Sequence, residues 1–144
     1  MPRERFESAA ASALSLLLLF GCSGSGIKTH PVSGKVNVKD GDAAMLTGST
    51  VQLVREDDET IRPYGNIDAS GSFTVKTPYK GEVVQGAPAG KYKARLMLGD
   101  ESDEGVPSRK GKGNVIHPRF LEFDKSGLSM TVPSGDYTVS VSKK

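Results

Sequence analysis

The chain has 144 residues, 19 Lys and Arg against 17 Asp and Glu, and a single cysteine. This length supports one domain with a modest core, and the near balance of charge argues against a basic nucleic-acid-binding surface. One cysteine excludes an internal disulfide, and 17 glycines with 8 prolines favour turns and strands over long helices.

The N-terminal segment combines two early arginines with an apolar run from Ala9 to Gly21. A run of this length is typical of a signal peptide and is too short to span a bilayer. The small residue Gly21 directly precedes Cys22, and this stretch resembles the signal and lipobox of bacterial lipoproteins. The resemblance implies cleavage between Gly21 and Cys22 and acylation of the Cys22 sulfur. The alternatives are an ordinary secretory signal or an anchor helix with an incidental cysteine.

The predicted organisation follows from that signal. Residues 1–21 form a signal helix, residues 22–29 hold the lipidated cysteine and a flexible Ser-Gly tether, and residues 30–144 form the domain. Several acyl chains hold a protein at a membrane where one chain is marginal. We expect a lipid-anchored protein of the cell envelope that faces the periplasm or the cell surface. Ser23 stands where some inner-membrane lipoproteins have aspartate, which favours the outer membrane.

From residue 30 onward, apolar residues alternate with polar ones at a period of two, which predicts strands. The stretch "GLSMTVPSGDYTVSV" is the clearest predicted hairpin, with a turn at Pro133-Ser134-Gly135. About seven short strands separated by turn residues favour an all-β fold, a seven-stranded antiparallel β-sandwich of the immunoglobulin or prealbumin kind.

Four stretches occur in an order that resembles a known family: "HPVSGKVNV", "IDASGSFTV", "GAPAGKYKARL" and "GLSMTVPSGDYTVSV". The chain looks like the small lipoproteins with a carboxypeptidase regulatory-like, or transthyretin-like, domain that are abundant in planctomycetes. The resemblance implies a seven-stranded prealbumin-like sandwich, usually without an assigned activity. The residues that carry it are structural: Asp68, Gly71, Phe73, Gly86, Pro88, Gly90 and Tyr92.

Two long connections, 77–90 and 99–124, interrupt the strands. Loops of the second length are usually functional or mobile, and this one carries a charged insertion, "DESDEGVPSRKGKG". Its acidic start has the early spacing of an EF-hand loop, but Gly111 stands where a bidentate Glu is needed. We therefore interpret it as a candidate interaction loop. Its charged residues are Asp100, Glu101, Asp103, Glu104, Arg109, Lys110 and Lys112.

The sequence contains few features of a metal-binding or catalytic site. His30 and His117 each precede a proline, lie far apart in sequence and match no metal-binding spacing, so we expect extended loop residues there. No nucleophile elbow is present, and acylation would consume the only thiol. The sequence therefore predicts no cofactor, no metal and no enzyme.

The aromatic residues divide into two groups. Phe73, Tyr92 and Tyr137 fall at inward strand positions and are predicted core residues. Tyr64, Tyr79, Phe120 and Phe123 are free to form a carbohydrate platform, or the last two could cap the sandwich.

Together these features predict a membrane-anchored envelope lipoprotein whose β-sandwich serves interaction, adhesion or structure. The expected partners are the membrane, through the lipid anchor, and an envelope protein or polysaccharide, but not nucleic acid. The alternative function is a surface lipoprotein that binds carbohydrate or another small ligand.

Acylation of Cys22 is the first testable prediction. Intact-mass spectrometry of the protein purified from bacterial membranes should show loss of residues 1–21 and an added acyl mass on Cys22. The Cys22→Ser variant should lack the acyl mass. Equal masses for the two proteins, after correction for the substitution, would refute lipidation.

Overall fold

Alternating strand residues build two sheets that share one core. The computed structural model describes residues 26–99, 115–134 and 137–144. Two short 3-10 helices span Ala43–Leu46 and Pro118–Leu121, and a single-turn helix α1 spans Phe123–Ser126. The strands are β1 (Ser33–Lys39), β2 (Thr50–Arg55), β3 (Tyr64–Asn66), β4 (Ser72–Thr74), β5 (Lys76–Tyr79), β6 (Glu82–Gln85), β7 (Gly90–Met97), β8 (Leu128–Val132) and β9 (Thr138–Ser142).

The larger sheet has six strands in the order β6-β5-β3-β2-β7-β8, and the smaller has three in the order β4-β1-β9. Every neighbouring pair in the larger sheet is antiparallel. In the smaller sheet β1 pairs antiparallel with β4 but parallel with β9, with Val36 opposite Val139 and Val38 opposite Val141. The prediction of a wholly antiparallel sandwich is therefore wrong at this pair.

The clearest predicted hairpin is also wrong. Strand β8 pairs with β7 in the larger sheet, whereas β9 pairs with β1 in the smaller one. The chain therefore passes from one sheet to the other between Val132 and Thr138. Because β1 and β9 both begin at the end of the smaller sheet where the chain arrives, they pair in parallel. Alternation alone could not reveal this, since a hairpin and a passage between the sheets bury the same strand residues.

All seven predicted strands are present, but the described residues form nine. Strand β6 lies inside the connection 77–90, where Gly and Pro obscure the alternation. The stretch after Gly71 divides into β4 and β5, because the chain changes sheets at Val75. There the Val75 backbone N–H donates to the Val32 carbonyl at 2.8 Å, which links the two sheets at their shared border.

The core lies between the sheets and is mostly aliphatic, as the composition requires. Burial of each such side chain contributes roughly 1.5–3 kcal/mol relative to exposure. Gly34 faces the core, where a Cβ atom would meet the Tyr137 carbonyl oxygen and the Phe73 ring. The predicted inward aromatics are confirmed. The buried residues include Val36, Val38, Val51, Leu53, Phe73, Val75, Tyr92, Ala94, Leu96, Met130, Val132, Tyr137, Val139 and Val141.

The predicted turn after β3 is confirmed and is held by Asp68. Its Oδ1 atom accepts hydrogen bonds from the Ser70 N–H at 2.8 Å, the Ser70 hydroxyl at 2.6 Å and the Ser72 N–H at 3.0 Å. These bonds, the Ser70 hydroxyl first, stabilise the carboxylate and lower the pKa of Asp68. Gly71 completes the turn with a positive φ of 79°.

The described part of the second long connection closes one end of the sandwich. Ile116 forms a bridge with Lys143, just after β9, and Phe120 is only 2% exposed in the core. Helix α1 then lies beside β7, where the Ser126 hydroxyl donates to the Ala94 carbonyl at 2.6 Å. Phe120 is thus a core residue, which agrees with capping and removes it from any exposed platform.

Candidate functional site

Gly21, Cys22 and the charged loop residues from Asp100 to Lys112 lie outside the described residues. The structure describes the chain after the first of these segments and on both sides of the second. Thr29 is the last residue of the predicted tether, and Gly99 and Val115 flank the charged insertion. The positions of these three residues define how the two segments join the sandwich.

The chain enters the sandwich at the N-terminal end of β1. The Thr29 hydroxyl donates to the Gln85 carbonyl at 2.8 Å, and His30 and Ala87 exchange backbone hydrogen bonds at 2.8 and 3.0 Å. These contacts hold residues 29–30 against the end of β6. Contacts with the sandwich therefore begin at the last residue of the predicted tether.

The segment that follows the charged insertion lies at the opposite end of the smaller sheet, and the residue that precedes it lies at an end of the larger sheet. Val115 precedes Ile116, which bridges Lys143, and the His117 N–H donates to the Ser142 carbonyl at 2.9 Å. Ser142 pairs with Lys39, the last residue of β1. On the other side, the Gly99 N–H donates to the Ser49 hydroxyl at 3.3 Å, next to the turn that precedes β2.

The two histidines serve backbone structure rather than a shared site. His30 pairs with Ala87 at the chain entry. His117 lies at the other end, where its Nδ1 accepts from the Arg119 N–H at 3.2 Å and so caps the second 3-10 helix. Within the described ranges, no three His, Cys, Asp or Glu side chains are grouped so that they could hold a metal ion.

The outer face of the six-stranded sheet carries a connected set of side chains, which we call the cation–aromatic row: Lys76, Tyr64, Gln52, Arg95 and Phe123. The first four are cross-strand neighbours on β5, β3, β2 and β7. Each points away from the core because its strand neighbours, such as Val51 and Leu96, are buried. Three strand spacings give the row a length of roughly 14 Å from β5 to β7.

Contacts along the row hold its cations against neutral partners. The Lys76 ammonium lies 5.1 Å from the centre of the Tyr64 ring, and the Arg95 guanidinium lies 4.6 Å from that of Phe123. Arg95 Nε also donates to Gln52 Oε1 at 2.8 Å. A second guanidinium, that of Arg62, lies 6.0 Å from the Phe123 ring. Within the described ranges, Lys76, Arg95 and Arg62 form no ion pair with a carboxylate.

A neighbouring cation on the same face is neutralised. Lys93 Nζ contacts Asp124 Oδ1 at 2.6 Å, a pair that joins β7 to α1 and helps to position Phe123. The hydrogen bond between the two groups raises the pKa of Lys93 and lowers the pKa of Asp124, and their charge attraction adds to both shifts. Glu56 and Glu59 also favour the charged form of Lys93.

The four aromatic residues that the sequence left outside the predicted core lie at different places in the structure. Tyr64 and Phe123 are half-buried on the outer face, Tyr79 contacts Lys80 at the β5–β6 hairpin, and Phe120 is in the core. The sequence prediction did not include Lys76, Gln52 and Arg95. Their outward positions are visible in the alternation, but their alignment depends on strand order, which the sequence does not encode locally.

A cleft of about 330 Å³ adjoins the Lys76 end of the row. Lys76 and its cross-strand neighbour Gln85, on the edge strand β6, line the cleft together with Asn66, Ser72 and Thr74. The Asp68 carboxylate also lines it, where its Oδ1 atom accepts from Ser70 and Ser72. The row and the cleft therefore form one continuous polar surface.

Comparison of the chain with protein-family models, with curated proteins and with solved structures finds no match. Among the described residues, no helix is long and apolar enough to cross a membrane.

A double-mutant cycle tests the contact at the centre of the row. Arg95→Met and Phe123→Leu, singly and together, should show a coupling of about 0.5–1 kcal/mol in the free energy of unfolding, measured in urea. The control cycle uses Lys91→Met, four residues before Arg95 on the same face of β7, and should show coupling near zero. Equal couplings in both cycles would contradict the contact.

Proposed function

We propose that this protein is a lipoprotein of the cell envelope, anchored through acylated Cys22, whose sandwich is a non-catalytic module for interaction, adhesion or structure. The proposed location is the outer membrane, facing the periplasm or the cell surface. The observation that carries the proposal is the separation of two attachment points. The chain enters at one end of the smaller sheet, and the segment that follows the charged insertion lies at the other end.

The length of the tether supports a close approach to the membrane. Seven residue steps separate Cys22 from Thr29, which contacts the sandwich, and these reach at most about 25 Å. A lipid on Cys22 would hold the N-terminal end of β1 near the bilayer.

The direction of β1 then sets the position of the charged insertion. Strand β1 spans about 20 Å, and the segment that follows the insertion joins the sandwich beyond its C-terminal end. With the lipid at the N-terminal end of β1, this attachment point would lie on the side away from the membrane. This arrangement suits a contact loop, and the acidic and basic residues between Asp100 and Lys112 offer both signs of charge.

The roles of several polar side chains support a non-catalytic module. The hydroxyls of Ser126, Thr77 and Tyr92 donate to the backbone carbonyls of Ala94, Gly86 and Pro88 at 2.6–2.7 Å. Burial raises the pKa of Tyr92 to about 12, so its phenol stays protonated at neutral pH. These groups stabilise turns and strand ends rather than face a shared cavity.

We also propose that the sandwich is of the prealbumin kind. The order of its strand motifs resembles that family, and two sheets packed over one aliphatic core are compatible with it. Carbohydrate binding is the second candidate function, since Tyr64 and Phe123 are half-buried beside cations on one outer face.

Replacement of the insertion tests the proposed contact loop. In a variant with residues 100–113 exchanged for a Gly/Ser segment of equal length, we expect loss of the proteins that the full chain captures from envelope extracts. The unfolding temperature should stay within about 2 °C, because the core that the described residues form does not include the exchanged segment. As a control, Lys35→Gln with Lys39→Gln removes exposed charge from the smaller sheet and should leave capture unchanged. An unaltered set of captured proteins after the exchange would contradict the contact role.

A further inference from the structure

We propose that the outer face of the six-stranded sheet binds an acidic polysaccharide, whose carboxylates pair with the cation–aromatic row and whose hydroxyls enter the adjoining cleft. This inference rests on the second candidate function and names its ligand class and its surface. It is independent of the charged insertion and of the lipid anchor.

Charge is the first argument. Lys76, Arg95 and Arg62 contact aromatic rings and the Gln52 amide, and Arg62 Nε also donates to the Glu59 backbone carbonyl at 2.9 Å. Among the described residues, none of the three cations forms an ion pair with a carboxylate. Only nitrogen Nε of Arg95 is used in the bond to Gln52, so its terminal nitrogens keep the fork geometry that binds a carboxylate in a bidentate way. The nearest acidic side chain on α1, Asp124, is already paired with Lys93. The row is therefore complementary to an anion that comes from another molecule.

Preorganisation is the second argument. Free Lys and Arg side chains lose rotamer entropy when they bind, which reduces the affinity of most surface cations. In the row, the Tyr64 ring restrains Lys76, while Gln52 and the Phe123 ring restrain Arg95. The half-buried rings also offer apolar surface to the C–H groups of a sugar, and such surface has little affinity for a simple anion.

The third argument is the shape of the surface, which selects a polymer of sugars. The row extends over four strands and continues into the cleft lined by Asn66, Ser72, Thr74 and Gln85, whose amides and hydroxyls match sugar hydroxyls. The cleft also holds the Asp68 carboxylate, whose Oδ1 is bonded to Ser70 and Ser72, so we expect the hydroxyls of the ligand here and its carboxylates along the row. A bilayer surface cannot enter a cleft. Binding of a nucleic acid depends mainly on many phosphate contacts, of which three cations supply few. An acidic polysaccharide uses the charge, the rings and the cleft together.

The test uses the full chain in neutral detergent, with polygalacturonate as the probe and its fully methyl-esterified form as the uncharged match. We expect measurable binding of polygalacturonate, weakened by salt, and binding of the ester at least tenfold weaker. Lys76→Gln with Arg95→Gln should weaken polygalacturonate binding by about tenfold, a loss typical of two partly exposed ion contacts. Tyr64→Ala should weaken it by about threefold or more, through the lost ring surface and the released Lys76.

The control variant Lys35→Gln with Lys39→Gln removes the same charge from the smaller sheet, and should bind polygalacturonate as the unaltered chain does. Equal affinity for the ester, equal loss in the control variant, or no binding of polygalacturonate would each overturn the inference. Tighter binding to phosphatidylglycerol vesicles or to single-stranded DNA through the same two residues would also overturn it, in favour of those partners. Because acylation of Cys22 and capture by residues 100–113 are measured separately, failure here leaves the main proposed function standing.

Discussion

The parallel pairing of β1 with β9 is the constraint on which the rest of the molecule depends. Strand β8 lies in the larger sheet, and β9 then runs beside β1 in the same direction, toward the other end of the smaller sheet. The C-terminal end of β9 therefore meets the segment after the charged insertion, through the bridge between Ile116 and Lys143. The same pairing buries Val139 and Val141 opposite Val36 and Val38, so it also closes the core.

The two sheets present outer faces of different chemistry. The smaller sheet exposes hydroxyls, amides and lysines, such as Ser33, Lys35 and Asn37 on β1. The larger sheet exposes Lys76 and Arg95 in contact with aromatic rings. Cations held this way keep their charge without a carboxylate partner, because the face of an aromatic ring attracts a cation but does not neutralise it. The larger sheet is thus the face with the stronger capacity to recognise an anionic ligand.

Local patterns predicted much of the fold, and the pairing of strands was where they failed. Alternation identified the inward residues of β1, β2, β7, β8 and β9, and turn chemistry identified the Asp68 turn. Alternation could not separate a β8–β9 hairpin from a passage between the two sheets, because both leave Val132 and Tyr137 buried. For the same reason Tyr64 and Phe123 could be named as exposed aromatics, while their alignment with Lys76 and Arg95 required the strand order.

The distance between one spin label placed before β1 and another placed after β9 tests the central claim most directly. In a Cys22→Ser background, labels on Lys28→Cys and Lys144→Cys should lie about 20 Å or more apart, because the length of β1 separates them when β9 runs parallel. Labels on Lys39→Cys and Lys144→Cys should lie much closer, since both residues are at the same end of the sheet. An antiparallel β9 would reverse the two results, with Lys28 and Lys144 within about 10 Å, and would contradict the separation of the chain entry from the charged insertion.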